Sequence, residues 1–315
     1  MRLRQFPLCA MFAAFVVSFP SVSNFITARA QTRAAGAQET VVFAVTRRGD
    51  AAFEFEPITI YRRGTFNASI AGDSDAAELT RFANNYYRAG QRYRLIWGGA
   101  EAGTLTAKQS QKATDCSKAA ATADVQTAVQ LGGNRMALAT NSAALGLPKS
   151  SRRAPTDAER AQVKTEVERI FREKGVPASA LDKLQTINLT ATDLNNDGAF
   201  ELVGTYLIRR GVEQIYIDHL FVLAEPTAAG GIKMAVARHG QLKGEDFSDP
   251  ESLESVGQSA FLTEVLIDQL DVDRDGTGEV FTVSYSFEGT NYTIYKRGAK
   301  GWSAVQEFNN YRCAY

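Results

Sequence analysis

Asp193-Leu194-Asn195-Asn196-Asp197-Gly198-Ala199-Phe200-Glu201 carries oxygen-bearing side chains at its first, third and fifth positions, then a glycine, then a closing carboxylate. The pattern returns after 78 residues (271 − 193 = 78) as Asp271-Val272-Asp273-Arg274-Asp275-Gly276-Thr277-Gly278-Glu279. Ca²⁺ binds several oxygen ligands, and a tight turn with this spacing supplies them from one short segment. Oxygen loop 1 (193–201) and oxygen loop 2 (271–279) are therefore predicted to bind Ca²⁺.

Each oxygen loop is predicted to hold its ion through four side chains and one backbone carbonyl. The ligands of oxygen loop 1 are the side chains of Asp193, Asn195, Asp197 and Glu201 and the carbonyl of Ala199, and those of oxygen loop 2 are the side chains of Asp271, Asp273, Asp275 and Glu279 and the carbonyl of Thr277. Because oxygen loop 2 has one carboxylate more, we expect it to bind more tightly unless Arg274 or the more flexible Gly278 segment offsets that charge. An ordinary Asp-Gly turn is the alternative, since these residues also favour turns for backbone reasons alone.

The segments around both loops have the apolar and alternating patterns of β-strands. The predicted strands are 187–192, 201–208, 214–223 and 231–238 in the first copy, and 262–270, 280–287, 292–297 and 301–308 in the second. Each oxygen loop joins the first two strands of its copy, so we predict two duplicated four-strand β units over 187–315. An EF-hand fits poorly, because it needs flanking helices and an acid at position twelve, which is Gly204 or Thr282.

The two loop sequences resemble a known family of calcium-binding repeats. Asp-x-Asn-x-Asp-Gly-x-x-Glu-Leu-Val at 193–203 and Asp-x-Asp-x-Asp-Gly-x-x-Glu-Val at 271–280 are similar to the calcium loops of FG-GAP and VCBS-type repeats, over about 187–308. In that family the loop joins the first two strands of a β-propeller blade, which implies structural Ca²⁺ and a role in adhesion or recognition. A propeller closes with about four to eight blades. Two units therefore imply an incomplete-propeller-like or sandwich-like arrangement.

The N-terminal half lacks the loop pattern and is predicted to be a separate α+β domain over 38–147. Its expected elements are strands at 41–45, 53–56 and 58–61, a helix over 75–89 capped by Asp73 or Ser74, a hairpin over 93–106 with a longer loop, and a strand over 135–140. Residues 148–186 predict a proline-bracketed linker and a helix over 157–174, which begins with a capping box of Thr156 and Glu159. The predicted fold class is mainly β, and α+β overall.

The N-terminus predicts export to the periplasm or the exterior. Arg2 and Arg4 precede an apolar stretch, and Ala28-Arg29-Ala30 or Ala35-Gly36-Ala37 offers a cleavage site, so residues 1–30 are predicted to be a signal peptide. A membrane anchor is the alternative, but the apolar run is shorter than the roughly 20 residues that a spanning helix needs. Removal of residues 1–30 takes away three arginines, Arg2, Arg4 and Arg29, and no acidic residue. The formal net charge therefore changes from 35 − 35 = 0 to 32 − 35 = −3. This charge gives no reason to expect a nucleic-acid partner.

Two cysteines remain after that cleavage. Cys116 and Cys313 are a plausible disulfide in an exported chain. Two buried free thiols are the alternative, because a sequence does not show whether the two Cα atoms lie within bonding distance.

Catalytic motifs are absent from the sequence. There is no Gly-x-Ser-x-Gly, phosphate-binding glycine loop, dinucleotide fingerprint or His-Glu-x-x-His. Asp218 and His219 are neighbours on a strand and point to opposite faces, so they do not predict a dyad, and both His219 and His239 are expected to be structural. We therefore expect a non-enzymatic, exported calcium-binding protein with a binding, adhesion or envelope-structural role and an unknown protein or carbohydrate ligand. The alternative is a periplasmic enzyme of the hydrolase class whose acidic loops are only structural calcium sites.

Overall fold

The computed structural model describes residues 39–47, 50–110, 118–211 and 214–312. Their fold is mainly β with a few helices, which confirms the predicted class. The strands form three antiparallel sheets. Residues 1–30, Cys116 and Cys313 lie outside the described residues, so the predicted signal peptide and disulfide stay predictions.

The first sheet closes on itself. Its strands are β1 (Thr40–Thr46), β2 (Phe53–Arg62), β3 (Thr65–Ala68), β4 (Arg92–Trp97), β5 (Ala100–Ser110), β6 (Ala121–Thr127) and β7 (Ala137–Thr140). They follow the order β1-β7-β4-β5-β6-β2-β3, and β1 also pairs with β2, so six strands form a barrel and β3 extends β2. The helix α1 (Ala76–Tyr86) packs Phe82 into the barrel core beside Phe43.

Three details of this sheet differ from the sequence-based expectation. β2 runs through Pro57 as one strand, and the β1–β2 register shifts between Val42 and Phe43, where Phe43 opposes the proline. An irregular site tolerates the missing proline N–H. The β4–β5 hairpin has a two-residue turn, Gly98-Gly99, instead of a longer loop, and both glycines have positive φ. Helix α1 begins one residue later than predicted, because Asp75 is its N-cap, and it ends at Tyr86, three residues before the predicted end.

The segment predicted as a linker contributes to the fold. A short strand, β8 (Arg152–Arg153), pairs with the end of β9 (Gln185–Thr192). The helix α2 (Asp157–Glu173) follows, and its Thr156–Glu159 capping box is confirmed. Four apolar side chains of α2 pack on the second sheet: Val163, Val167, Ile170 and Phe171. The short helix α3 (Ala178–Leu181) packs on the same sheet.

The two predicted four-strand units are present as two meanders. The second sheet contains β9, β10 (Glu201–Arg210), β11 (Tyr216–Pro226) and β12 (Ile232–Lys243), with β8 at its edge. The third contains β13 (Val265–Leu270), β14 (Glu279–Tyr285), β15 (Gly289–Gly298) and β16 (Gly301–Tyr311). The helix α4 (Pro250–Ser255) lies between them in the chain. Each oxygen loop connects the first two main strands of its sheet.

The third sheet shares a core with each of the other two. Ile267 and Phe281 pack with Val42 and Ile96 of the barrel, whereas their neighbours Leu266 and Val280 pack with Val203 and Phe221 of the second sheet. Successive residues of a strand face opposite sides, so one apolar strand serves both cores. The described residues from 39 to 312 form one compact unit, in which the barrel packs directly against the third sheet.

A buried ion pair joins the barrel to the last strand. The Glu56 carboxylate of β2 accepts hydrogen bonds from the side chains of Asn310 and Arg312. Burial raises the pKa of Glu56 although Arg312 lowers it. No helix among the described residues has the length and apolar character needed to cross a lipid bilayer.

Candidate metal centre

The two oxygen loops share one backbone hydrogen-bond frame. In oxygen loop 1 the carboxylate of Asp193 accepts from the N–H groups of Asp197 (3.2 Å) and Gly198 (3.0 Å). In oxygen loop 2 the carboxylate of Asp271 accepts from Asp275 (3.1 Å) and Gly276 (3.0 Å). The first predicted ligand of each loop therefore also stabilises its own turn.

The closing glutamate completes the frame from the other end. Glu201 accepts from the N–H of Leu194 at 2.9 Å, and Glu279 accepts from the N–H of Val272 at 2.8 Å. The carboxylate at the fifth position of each loop accepts a hydrogen bond from the backbone N–H of the seventh residue. Ala199 donates to Asp197 at 2.7 Å, and Thr277 donates to Asp275 at 3.0 Å. Both loops also turn through left-handed residues at matched positions: Asn196 and Gly198 in one, Arg274 and Gly276 in the other.

Several of these carboxylates are buried, which makes their charged forms costly without a nearby cation. Burial raises the pKa of Glu279 to about 7, and it raises the pKa values of Glu201 and Asp271 as well. A bound divalent ion would favour the deprotonated form of each group. The electrostatics of both loops therefore favour a cation beside the closing glutamate.

Oxygen loop 2 already holds an internal cation. The ammonium of Lys296, on β15, lies 2.7 Å from Asp273 and 3.1 Å from Glu279, and it also contacts Asp275. Burial lowers the pKa of Lys296, but its hydrogen bonds to Asp273, Asp275 and Glu279 outweigh this and raise it above the usual value. The ammonium is therefore charged, and it contacts three of the four carboxylates that were predicted to hold the ion.

The equivalent position beside oxygen loop 1 carries an acid. Leu202 pairs with Ala224 in the second sheet as Val280 pairs with Tyr295 in the third, so Glu225 corresponds to Lys296. Glu225 instead accepts a hydrogen bond from Trp302 at 3.0 Å and forms an ion pair with Arg297, also at 3.0 Å. Oxygen loop 1 thus has no lysine at this place.

The donor sets fit a cation to different degrees. Side-chain oxygens of Asp271, Asp273 and Asp275 lie within 4.8 Å of one another, and Asp273 Oδ1 is buried without a hydrogen-bond partner among the described residues. In oxygen loop 1 the Asn195 amide donates to Asp197 at 2.9 Å, so Asn195 must rotate to offer its oxygen to an ion. The residues of both loops can surround a hard cation.

Two other charged clusters are structural networks. Asp218 is fully buried and accepts from Arg210 at 2.7 Å and Gln241 at 2.8 Å, with His239 at 3.2 Å. Burial raises its pKa, but these hydrogen bonds outweigh burial and bring the pKa to about 2. The partner of Asp218 is His239 on the next strand, and not its chain neighbour His219, whose pKa burial lowers to about 4. Sequence reasoning missed this pair because the β11–β12 register creates it.

The second network surrounds Glu264. Its carboxylate accepts from Thr282 at 2.6 Å and from Tyr295 at 2.7 Å, and Arg238 lies 3.6 Å away. Burial raises the pKa of Glu264, while these neighbours lower it. Its oxygens are engaged in holding β13, β14 and β15 together.

Comparisons of this chain with models of protein families, with curated proteins and with solved structures found no match. The resemblance of the oxygen loops to FG-GAP and VCBS-type repeats therefore stays a prediction from the loop sequences.

Proposed function

We propose that this chain is an exported calcium-binding β-repeat protein, and that it acts as a binding module with a protein or carbohydrate ligand. The observation that carries the proposal is the shared frame of the two oxygen loops. Each first Asp accepts two backbone N–H groups, and each closing Glu accepts the N–H of the second loop residue. An ordinary Asp-Gly turn does not require a buried glutamate nine residues into the motif.

The calcium role of the loops is structural. Asp193, Asn195, Asp197 and Glu201 would hold one ion, with the Ala199 carbonyl, and Asp271, Asp273, Asp275 and Glu279 a second, with the Thr277 carbonyl. Ca²⁺ would place a divalent positive charge beside the carboxylates of each loop, and it would fix the turns that lead into β10 and β14. The loops then remain rigid at the junction of all three sheets.

We propose that oxygen loop 1 fills first. Its three carboxylates give a formal charge of −3, and the four of oxygen loop 2 with the Lys296 ammonium give −4 + 1 = −3. Oxygen loop 2 was expected to bind more tightly because it has one carboxylate more. The Lys296 ammonium neutralises that extra charge. Binding at loop 2 also requires displacement of that ammonium, whereas loop 1 has no such cost.

Unfolding with and without calcium tests the proposal. If the dissociation constants are about 10⁻⁴ to 10⁻³ M, 1 mM Ca²⁺ should raise the free energy of unfolding by about 0.4 to 1.4 kcal/mol per site. Asp197→Ala should remove the gain from loop 1, and Asp275→Ala the gain from loop 2, while the exposed Asp50→Ala serves as the matched control. If chelation leaves the melting curves of the wild type and all three variants unchanged, the oxygen loops are ordinary turns.

A further inference from the structure

A cavity of about 370 Å³ lies where the barrel meets the second and third sheets. Trp97 at the end of β4, Arg152 of β8 and Asn188 of β9 form its polar wall, with Asn134 and Arg135 from the turn before β7. Val203 and Leu266 contribute apolar surface. Cavities of this size and position, between packed layers and with a few convergent polar groups, are where proteins bind small molecules.

Polar atoms without partners are concentrated at this cavity. Trp97 Nε1, Asn134 Oδ1 and both amide atoms of Asn188 are buried without a hydrogen-bond partner among the described residues. They are four of the ten such side-chain atoms, and all belong to residues that line one cavity. A buried polar group left unpaired costs about 1 to 3 kcal/mol, so this concentration indicates groups that an added molecule satisfies.

The wall of the cavity is positively charged. The Arg152 guanidinium is almost fully buried and lies 3.8 Å from Asp268. Burial and the nearby charge of Arg135 lower the pKa of Arg152, although Asp268 raises it. Arg135 makes no ion pair within the described ranges. Arg153 is neutralised by Glu159 through contacts of 2.7 and 2.8 Å.

Asp268 offsets the charge of Arg152 and leaves that of Arg135. Its carboxylate accepts the Gly98 N–H at 2.7 and 3.0 Å, and burial raises its pKa to about 7. Its nearest arginine is Arg152, which leaves the charge of Arg135 without an acid partner among the described residues. The cavity consequently attracts an anion.

The unpaired acceptors narrow the class of anion. The oxygens of Asn134 and Asn188 need hydrogen-bond donors, which a purely anionic group such as phosphate dianion does not supply. An ammonium group is disfavoured as that donor because it would face Arg152 and Arg135. Neutral hydroxyl groups satisfy these oxygens, and the Trp97 N–H in turn donates to a ligand oxygen. We propose that this cavity binds a small carboxylate that also carries hydroxyl groups, of the kind found in sugar acids.

Calorimetric titration with D-glucuronate tests the proposal, with D-glucose and inorganic phosphate as comparison probes. Glucuronate should bind the wild-type protein, and both comparison probes should bind at least about tenfold more weakly, since a hydrogen bond to a charged group contributes about 1.5 to 3 kcal/mol. The binding should be present with calcium and with a chelator, which separates this site from the oxygen loops.

Three variants locate the binding. Asn188→Asp replaces an unpaired amide with a carboxylate of the same shape, and it should weaken glucuronate binding about tenfold or more. Arg135→Glu should weaken it about two- to fivefold, as expected for an exposed charge. Arg81→Glu, on the exposed side of α1, is the charge-matched control and should bind like the wild type.

Circular dichroism verifies that each variant is folded. The proposal is overturned if glucuronate gives no binding at millimolar concentration, if phosphate binds equally well, or if folded Asn188→Asp binds as tightly as the wild type. The first outcome would mean that water satisfies the unpaired atoms, the second that the site recognises only negative charge, and the third that glucuronate binds elsewhere.

Discussion

The Gly278 N–H donates a 2.6 Å hydrogen bond to the Leu194 carbonyl, so the backbones of the two oxygen loops are joined directly. A small cavity of about 110 Å³ lies beside this contact and is lined by both loops. The Gln269 amide, just before oxygen loop 2, reaches Ser151 at 2.7 Å and Thr192 at 3.3 Å, just before oxygen loop 1. An ion that fixes one loop therefore also restrains the backbone to which the other is attached.

Replacing Lys296 should change the calcium response of oxygen loop 2. In Lys296→Met, three carboxylates lose their internal cation, so the chelated protein should melt at a lower temperature than the wild type. Ca²⁺ should bind this loop at least about tenfold more tightly, since hydrogen bonds to charged groups contribute about 1.5 to 3 kcal/mol. Calorimetric titration and melting curves measure both effects.

Lys300→Met is the control for that experiment, because Lys300 is exposed on the turn after β15. It should match the wild type in both measurements. Equal calcium affinity in Lys296→Met and Lys300→Met would contradict the view that the ammonium competes with the ion.

The Thr156–Glu159 capping box should make stability depend on pH in the acid range. The hydrogen bonds from Arg153 are the largest cause that lowers the pKa of Glu159 to about 2. The folded-state pKa is below the unfolded value, so the stabilisation is present above about pH 4.5 and is lost as the pH falls towards 2. After discounting for solvent screening, Glu159→Gln should lower the free energy of unfolding by about 1 to 2 kcal/mol at pH 7.

Urea denaturation at several pH values between 3 and 7 measures this effect. Glu173→Gln removes an exposed ion pair with Arg169 on the same helix and is the matched control, with little expected change. A wild-type advantage over Glu159→Gln that stays constant down to pH 3 would show that the carboxylate charge is not responsible.

Asp268 should produce the opposite pH dependence near neutrality. Burial raises its pKa to about 7, above the unfolded value of about 4. The folded state therefore binds more protons between these pH values, and stability falls as the pH rises from about 4 to 7, by up to about 1.4 kcal/mol per pH unit. Asp268→Asn should flatten this part of the curve of unfolding free energy against pH. An unchanged slope in the variant would assign the pH dependence to other groups.

The tight turn between β4 and β5 should be intolerant of a side chain. A Cβ added to Gly98 would lie 1.9 Å from Ser150 Oγ and 2.8 Å from Arg152 Cβ, and the residue has φ +62°. Gly98→Ala should lower the free energy of unfolding by about 2 to 4 kcal/mol, from left-handed backbone strain and overpacking together. Gly64→Ala, with φ +80° and no atom within 4 Å, should show only the strain, about 1 to 2 kcal/mol. Chemical denaturation measures the free energy of unfolding of both variants. Similar losses of stability would mean that the close contacts at position 98 relax without cost.

Features set by short stretches of chain could be predicted from the sequence. The capping box of Thr156 and Glu159 and the order of strands in both meanders depend on neighbouring residues, and the structure has them. The exact size of a turn was harder to predict: the sequence indicated a longer loop in the hairpin over 93–106, whereas β5 already begins at Ala100. Two adjacent glycines with positive φ are sufficient for the two-residue turn.

Features that depend on register between distant strands could not be predicted. Lys296 reaches oxygen loop 2 because Tyr295 pairs with Val280 across β14 and β15, and the sequence does not fix that register. The cavity wall combines Trp97 with Asn188, which lie 188 − 97 = 91 residues apart. A polar residue without a partner can only be recognised when all of its neighbours are known.

The ion pair between Glu56 and Arg312 bears on when the barrel completes its packing during synthesis. The two residues are 256 positions apart, and translation makes Glu56 first. Until the end of β16 emerges, the barrel carries either a protonated Glu56 or a buried charge without its cation. Tight closure of β2 against the last strand therefore requires synthesis to have passed Arg312, and a ribosome-bound chain that stops before residue 310 has a looser barrel than the full chain.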